Sequence, residues 1–259
     1  MADAGDIELL QFPYSHFNEK ARWALDFKGL AHRRRSLMPG PHMGEMKRLT
    51  GQTKTPALHV GDTYVTGSAA IIDWLERNVP EPALYPADPD QRARALELQA
   101  RFDSDVGPQV RIGALSALLQ SQGYMAAMFG EGQSAPKRFV YRCLFPFAAG
   151  KIRQGNGITG PESIERAIEV SRAALDLVAA ETAATGYLVG DGFSVADLAA
   201  ASLLAVCADP PNSTMSRPKP IPPAFQAWLD RWADHPGTAW VLEMYRRHRN
   251  AAATRAIAA

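Results

Sequence analysis

Three short segments in the first third of the chain place hydroxyl, amide and backbone groups where they could hold a small ligand. Pro13-Tyr14-Ser15-His16-Phe17-Asn18-Glu19-Lys20-Ala21-Arg22-Trp23 follows a short apolar strand and opens a helix at Ser15. Thr55-Pro56-Ala57-Leu58 is a proline entering a strand, and Gly67-Ser68-Ala69-Ala70-Ile71-Ile72-Asp73-Trp74-Leu75 opens a second helix. A serine before a helix is ordinarily an N-cap, and that role alone accounts for Ser15 and Ser68. The same position also suits an anion. A helix N-terminus stabilises negative charge by ~0.3–1 kcal/mol, or about 2 where partly buried, and a hydroxyl hydrogen bond to a charge adds ~1.5–3 kcal/mol. A free thiol has a pKa of ~8.5, and ~1.36 kcal/mol is one unit. The two effects together, roughly one to three units, let the nucleophilic thiolate dominate near neutrality.

The elements that must position these groups form a short α/β unit. Ile7–Phe12 is a strand candidate ended by Pro13. From Ser15, Phe17, Ala21, Ala24 and Leu25 fall on one helical face with the Lys28 stem, and Gly29 ends the run. His32–Leu37 is a second strand, and a strand–helix–strand unit of this length suggests parallel pairing. A weak helix follows over Met43–Leu49. Ala57–Val60 and Thr63–Val65 flank Gly61-Asp62 as a hairpin, and Gly67–Asn78 is a helix with Ile71, Ile72 and Leu75 inward. The pattern predicts a βαβ–ββα front domain over residues 1–80.

Val79–Asp90 contains Pro80, Pro82, Pro86 and Pro89, a density that favours an extended linker, placed at 81–90. Residues 91–259 are expected to form an all-helical domain: Gln91–Phe129, Ala135–Lys151, Pro161–Ala184, Val195–Ala208 and Ala224 to the alanine-rich tail. Ser194 and Asp197 have capping-box spacing at the start of one of these helices. Asp209–Pro223 holds six prolines and is a loop. It suits a passive surface connection, with a lid or a dimer contact as alternatives.

Composition narrows the function classes. The chain has 259 residues, 46% apolar, with a formal net charge of +1. That balance argues against a nucleic-acid platform, which would carry a basic excess. The runs Arg33-Arg34-Arg35 and Arg246-Arg247-His248-Arg249 are expected to be solvated faces; Arg101 and Asp105 are expected to be solvated or structural, with polar anchors for a second ligand as the alternative. The two cysteines, Cys143 and Cys207, fit no metal spacing and no disulfide framework; both are expected to be buried on helices in a reducing compartment. Met1–Asp6 has two acids and no apolar core, so no signal peptide is expected. No apolar run is long enough to span a membrane. A soluble, cytoplasmic protein without metal, nucleic-acid or membrane partners is the expectation.

In their order and spacing, the Ser15 helix opening, Thr55-Pro56, Gly67-Ser68 and the Gly190-Asp191-Gly192-Phe193-Ser194-Val195-Ala196-Asp197 box resemble the cytosolic glutathione S-transferases, over nearly the whole chain. The resemblance implies a thioredoxin-like front domain, a helical-bundle rear domain and glutathione as co-substrate. Ser15 would then donate to the glutathione thiolate, with Asn18 and Tyr14 as other candidates. Pro56 would be cis, and the Thr55 backbone would pair with the peptide. Gly67 and Ser68, with the N–H groups behind them, would hold the γ-glutamyl carboxylate, and Lys54, Gln52, His42 or Lys47 could reach a carboxylate. Relatives often carry a cysteine at position 15 or 18 and an acid at position 67; here these are Ser15, Asn18 and Gly67. Without a cysteine at either position, mixed-disulfide chemistry is disfavoured and transfer to an electrophile favoured. Tyr14, Phe17 and Met43 are candidates for the acceptor pocket. The implied function is conjugation of glutathione to a small hydrophobic electrophile by a homodimer. The alternatives are a non-enzymatic ligand-binding or scaffold protein of the same fold, and a glutathione-dependent isomerase or dehalogenase.

Overall fold

The structure, a computed structural model, describes residues 7–215 and 217–249; Met1–Asp6 and the alanine-rich tail beyond 249 lie outside the described residues. In the front part, β1 (Ile7–Gln11) is central in a four-stranded sheet of order β2-β1-β3-β4. It pairs in parallel with β2 (Arg33–Ser36), Glu8 opposite Arg33, and antiparallel with β3 (Ala57–Val60), Leu9 opposite Leu58. β3 turns through Gly61-Asp62 into β4 (Thr63–Thr66). Period-two alternation divides the apolar residues between the two faces. Leu9 and Leu58 join the main core, whereas Leu10 and Ala57 pack with Leu37 and Met46 on the other side, under α2 (His42–Thr50).

The helix α1 (His16–Phe27) lies on the main-core face beside α3 (Ser68–Asn78) and also against α9 (Val195–Ala208). It is therefore buried nearly all round, and Asn18, Glu19, Lys20, Arg22 and Asp26 go under with Ala21, Trp23, Ala24 and Leu25. Charges so placed need partners. Glu19 meets Arg22 (2.9 Å) and Arg249 (3.0 Å); Asp26 meets Arg34 (2.6 Å) and Arg249 (2.8 Å); Lys20 meets Asp103 (2.6 Å); and Lys28 meets Glu76 (2.5 Å).

Prolines 80, 82 and 86 lie in the connection before α4 (Pro89–Arg101). Pro89 itself opens that helix, a position where its missing N–H is no loss. The single helix expected over Gln91–Phe129 is broken. After α4 comes a π-helical turn, Phe102–Val106, then α5 (Gly107–Leu118) and α6 (Gln122–Phe129). Pro108 has no N–H to continue the α ladder, and the Gly107 N–H bonds to the Phe102 carbonyl five residues back. Next are α7 (Ala135–Gly155) and α8 (Pro161–Glu181), then α9, whose start matches the expected box. There Asp197 accepts the Ser194 N–H (2.9 Å) and Ser194 accepts the Ala196 N–H (3.3 Å). The last expected helix is two, α10 (Pro223–Asp230) and α11 (Pro236–His248). Pro236 disfavours helix at His235, which becomes an N-cap accepting the Gly237 N–H (3.1 Å).

Three further expectations are corrected. Cys143 is exposed on α7, because its neighbours Tyr141 and Phe145 take the inward face; Cys207 is buried. Asp209–Pro223 is no passive loop. Thr214 bonds Glu19 and Arg22, Asn212 donates to the Tyr245 carbonyl (2.7 Å), and Arg217 pairs with Asp209. Arg249 is 2% exposed, drawn inward by Glu19 and Asp26, while Arg246 and Arg247 stay outside on Glu243. Arg33 and Arg35 are exposed, whereas Arg34 is half-buried on Asp26.

Candidate active site

Ser15 is the N-cap of α1: its backbone is extended and its hydroxyl accepts the Asn18 N–H (3.4 Å). Asn18, buried behind it, ties the loops together. Its Oδ1 accepts the Phe12 N–H (3.3 Å) and its Nδ2 donates to Thr55 Oγ1 (3.2 Å). The Thr55–Pro56 peptide is cis, and Thr55 precedes the β3 ladder, which begins at Ala57. The Pro56 carbonyl accepts the Gly67 N–H (2.9 Å). Gly67 takes φ +92°, a left-handed conformation that suits glycine, and is itself the N-cap of α3. Ser68 is thus not the cap but the first helical residue, buried, with Gly67 supplying the turn. Ser15, Asn18, Thr55, Pro56 and Gly67-Ser68 are linked through these bonds.

The charged and polar residues around this framework divide. Lys54 is exposed, and its N–H is held by Gln52 Oε1 (2.5 Å), whose amide donates back to the Lys54 carbonyl (2.8 Å). His42 receives the Gly40 N–H at Nδ1 (3.1 Å), so Nε2 carries the proton and donates to the Thr53 carbonyl (3.1 Å). Burial lowers its pKa, in keeping with that neutral state.

Of the expected acceptor residues, Tyr14 and Phe17 lie on the seam with the rear helices. The Tyr14 ring stacks on Phe129 of α6 (4.4 Å, 21°) and on Phe12 (5.7 Å, 8°). Phe129 meets Phe145 (5.9 Å), which meets Tyr141 (5.9 Å). Phe17 packs against Gly107, where an added Cβ would lie 2.7 Å from its ring. Met43 is 51% exposed on α2, outside this aromatic chain, because Met46 takes that helix's inward position. Arg101 and Asp105 are exposed, as expected.

Sequence reasoning missed His16 and Arg111. His16 is buried, 3.1 Å from the Gly107 carbonyl; burial, aided by the Arg111 charge, pulls its pKa down to about 3. The Arg111 guanidinium lies over the Phe17 ring (5.9 Å), its Nε buried without an acceptor, and burial lowers its pKa. Among the described residues no carboxylate pairs with it. A signal existed: Arg111 is the lone charge in Gly107–Leu118, with no acid to meet it.

Similarity to known proteins completes the picture. A family model described as "Glutathione S-transferase, N-terminal domain" matches residues 9–83, and one described as "Glutathione S-transferase, C-terminal domain" matches residues 161–231. A maleylpyruvate isomerase from Ralstonia sp is 36% identical over 105 residues, 39% of this chain and 50% of that protein. The match thus spans half the length of that curated relative. The β-etherase LigF from Sphingobium sp. strain SYK-6 superposes with TM-score 0.61 at 21% identity, covering 92% of this chain and 99% of that one. A glutathione S-transferase from Methylobacterium radiotolerans in complex with glutathione sulfonate does so with TM-score 0.53 at 23% identity, covering 93% and 90%. At these identities the structural likeness is one of fold.

Proposed function

The chain belongs to the cytosolic glutathione S-transferase superfamily, and from that membership we propose that it binds glutathione in the front domain and activates its thiol for attack on a small electrophile. The observation that carries this reading is the bonded framework Ser15–Asn18–Thr55, which holds a serine hydroxyl at the N-terminus of α1 beside a backbone edge at Thr55. Ser15 would donate to the thiolate, where the helix terminus also favours negative charge. Asn18 already spends its Oδ1 and one Nδ2 hydrogen within the protein, so it serves better as the brace than as the donor. Thr55 would pair its backbone with the cysteinyl residue of glutathione, as an added strand does. Gly67, Ser68 and the first N–H groups of α3 would hold the γ-glutamyl carboxylate, with Lys54, exposed nearby in sequence, at the other carboxylate. A non-enzymatic role uses none of this arrangement for chemistry and is the less economical reading.

A second reading, glutathione-dependent isomerisation of an anionic acceptor, is favoured by one observation: the half-buried Arg111, whose Nε has no acceptor and which pairs with no carboxylate among the described residues. The curated relative named as a maleylpyruvate isomerase is consistent with it. A homodimer in the cytoplasm, with a detoxifying role, completes the proposal; no helix among the described residues is long and apolar enough to cross a membrane.

Calorimetry with glutathione at neutral pH, paired with an absorbance titration of the bound thiol, tests the core of it. Binding with a lowered thiol pKa is the expected result, and Ser15→Ala should return that pKa toward its free value and cut turnover tenfold or more. No binding at millimolar glutathione would sink the reading.

A further inference from the structure

The helix α7 is held on one side. Its buried residues, Tyr141, Phe145 and Ala149, follow one another a turn apart and form the seam it shares with α6, where Phe145 meets Phe129. Beyond that seam Phe139, Val140, Leu144 and Phe147 stand exposed, with Cys143 among them. At 3.6 residues per turn these positions gather opposite the seam. Lys137 and Lys151 border them on one flank and Arg142 and Arg153 on the other, and all four cations are exposed. No acid occurs between Glu131 and Glu162. The helix lies in the stretch between the two matched family segments, and its outer face points away from the side that reaches Tyr14 through Phe145 and Phe129.

An exposed apolar stripe marks an interface, and here the charges say of what kind. Two copies facing each other through α7 would set cation against cation, with no acid in the segment to meet them. A protein groove that encloses a basic helix needs its back as well as its front, and α6 holds the back. A flat anionic surface needs only the front. A convex apolar ridge edged by cations on both sides is the pattern of a helix that lies in a lipid interface, its rings at the acyl boundary and its Lys and Arg stems reaching the headgroups.

We propose that α7 docks the protein peripherally on an anionic lipid bilayer. The helix lies in the surface and does not cross it, in keeping with its hydropathy. Docking uses none of the residues assigned to glutathione, so the inference stands apart from that reading.

Flotation of the full chain with vesicles tests it, phosphatidylcholine alone against equal parts of phosphatidylcholine and phosphatidylglycerol. The protein should float with the anionic vesicles, remain in the bottom fraction with the neutral ones, and be released as salt rises. A polarity-sensitive dye on Cys143, the exposed one of the two thiols, should shift to the blue on the anionic vesicles alone. Phe147→Asp, and separately Arg142→Gln with Lys151→Gln, should each weaken vesicle binding roughly tenfold or more. All three side chains are exposed, so the melting temperatures should match wild type. A wild type that floats with neither vesicle, or equally with both, would overturn the proposal, as would full binding by either variant. A wild-type dimer that Phe147→Asp turns into a monomer would overturn it too, since a second copy would then cover the face.

Discussion

Glu19 lies one helical turn beyond Ser15, the proposed thiolate donor, yet its work is done deep in the protein. It accepts from Arg22, Arg249 and Thr214, and its side chain is closed to solvent. Burial pushes its pKa up, but the Arg22 and Arg249 guanidiniums outweigh that and hold it at about 2. Its folded pKa therefore lies below the ordinary 4.5, so its stabilising effect is complete above pH 4.5 and is lost as the pH falls from there toward 2. His16 acts over a different window. Buried and neutral in the fold with a pKa of about 3, it must compete with an unfolded chain that takes its proton near 6.5, so stability begins to fall below that pH. Urea unfolding followed across this range should show a decline starting near pH 6.5 and steepening below 4.5. In Glu19→Gln the steeper limb should shrink and the His16 limb remain. At neutral pH that variant should lose about 3–5 kcal/mol, the cost of stranding a buried charge; an unchanged urea midpoint would contradict the network. Such pairs were not legible in the sequence. The Glu19–Thr214 and Glu19–Arg249 contacts join residues 195 and 230 positions apart, and a helix wheel of α1 shows only that Glu19, Lys20 and Arg22 are charged, not that α9 covers them.

Among the elements, those with local punctuation were legible and those shaped by neighbours were not. The α9 boundaries follow from Ser194 and Asp197 within one turn, and the Gly61-Asp62 hairpin from its own two residues. The π turn at Phe102–Val106 depends on Pro108 together with the need to bring Gly107 against Phe17, and a periodic apolar pattern runs through it undisturbed. Within the candidate site, Ser15 and Thr55-Pro56 stood out by type and spacing; Arg111, Tyr141 and the bracing role of Asn18 needed the tertiary contacts. Ser68 looked like a cap because serine usually is one, but the left-handed turn required Gly67 there instead. Close approach of helices gives a further test. At Gly237, in the first turn of α11, an added Cβ would collide with the Leu175 backbone of α8. No side-chain rotation relieves a clash with backbone, so Gly237→Ala should destabilise by about 1–3 kcal/mol, as overpacking does, whereas Gly192→Ala, in open space, should be near neutral. Thermal melts of the two variants decide it.

For the whole molecule, α7 carries a stripe of uncovered apolar side chains: Phe139 (70% exposed), Val140, Leu144 and Phe147 (82%). Large apolar side chains at helical spacing on one face suit an interface, and giving that face to lipid leaves the homodimer proposed above to other faces of the molecule. Phe147→Asp should therefore leave the mass measured by light scattering unchanged, without lowering glutathione affinity. A wild type that is monomeric at every concentration tried would dismiss the dimer.

Arg249 has a consequence that concerns time rather than space. It follows α11, and its guanidinium closes the charge set on Glu19 and Asp26 of α1. A ribosome makes the front sheet first and Arg249 some two hundred residues later. Until then Glu19 and Asp26 have Arg22 and Arg34 but not Arg249, and the Trp23 indole's acceptor, the His248 carbonyl, is still unmade. The front domain completes these α1 contacts only once α11 and Arg249 are made. A stalled chain lacking the last helix would thus resemble not half a finished protein but an unfinished whole, a ready substrate for chaperones and proteases.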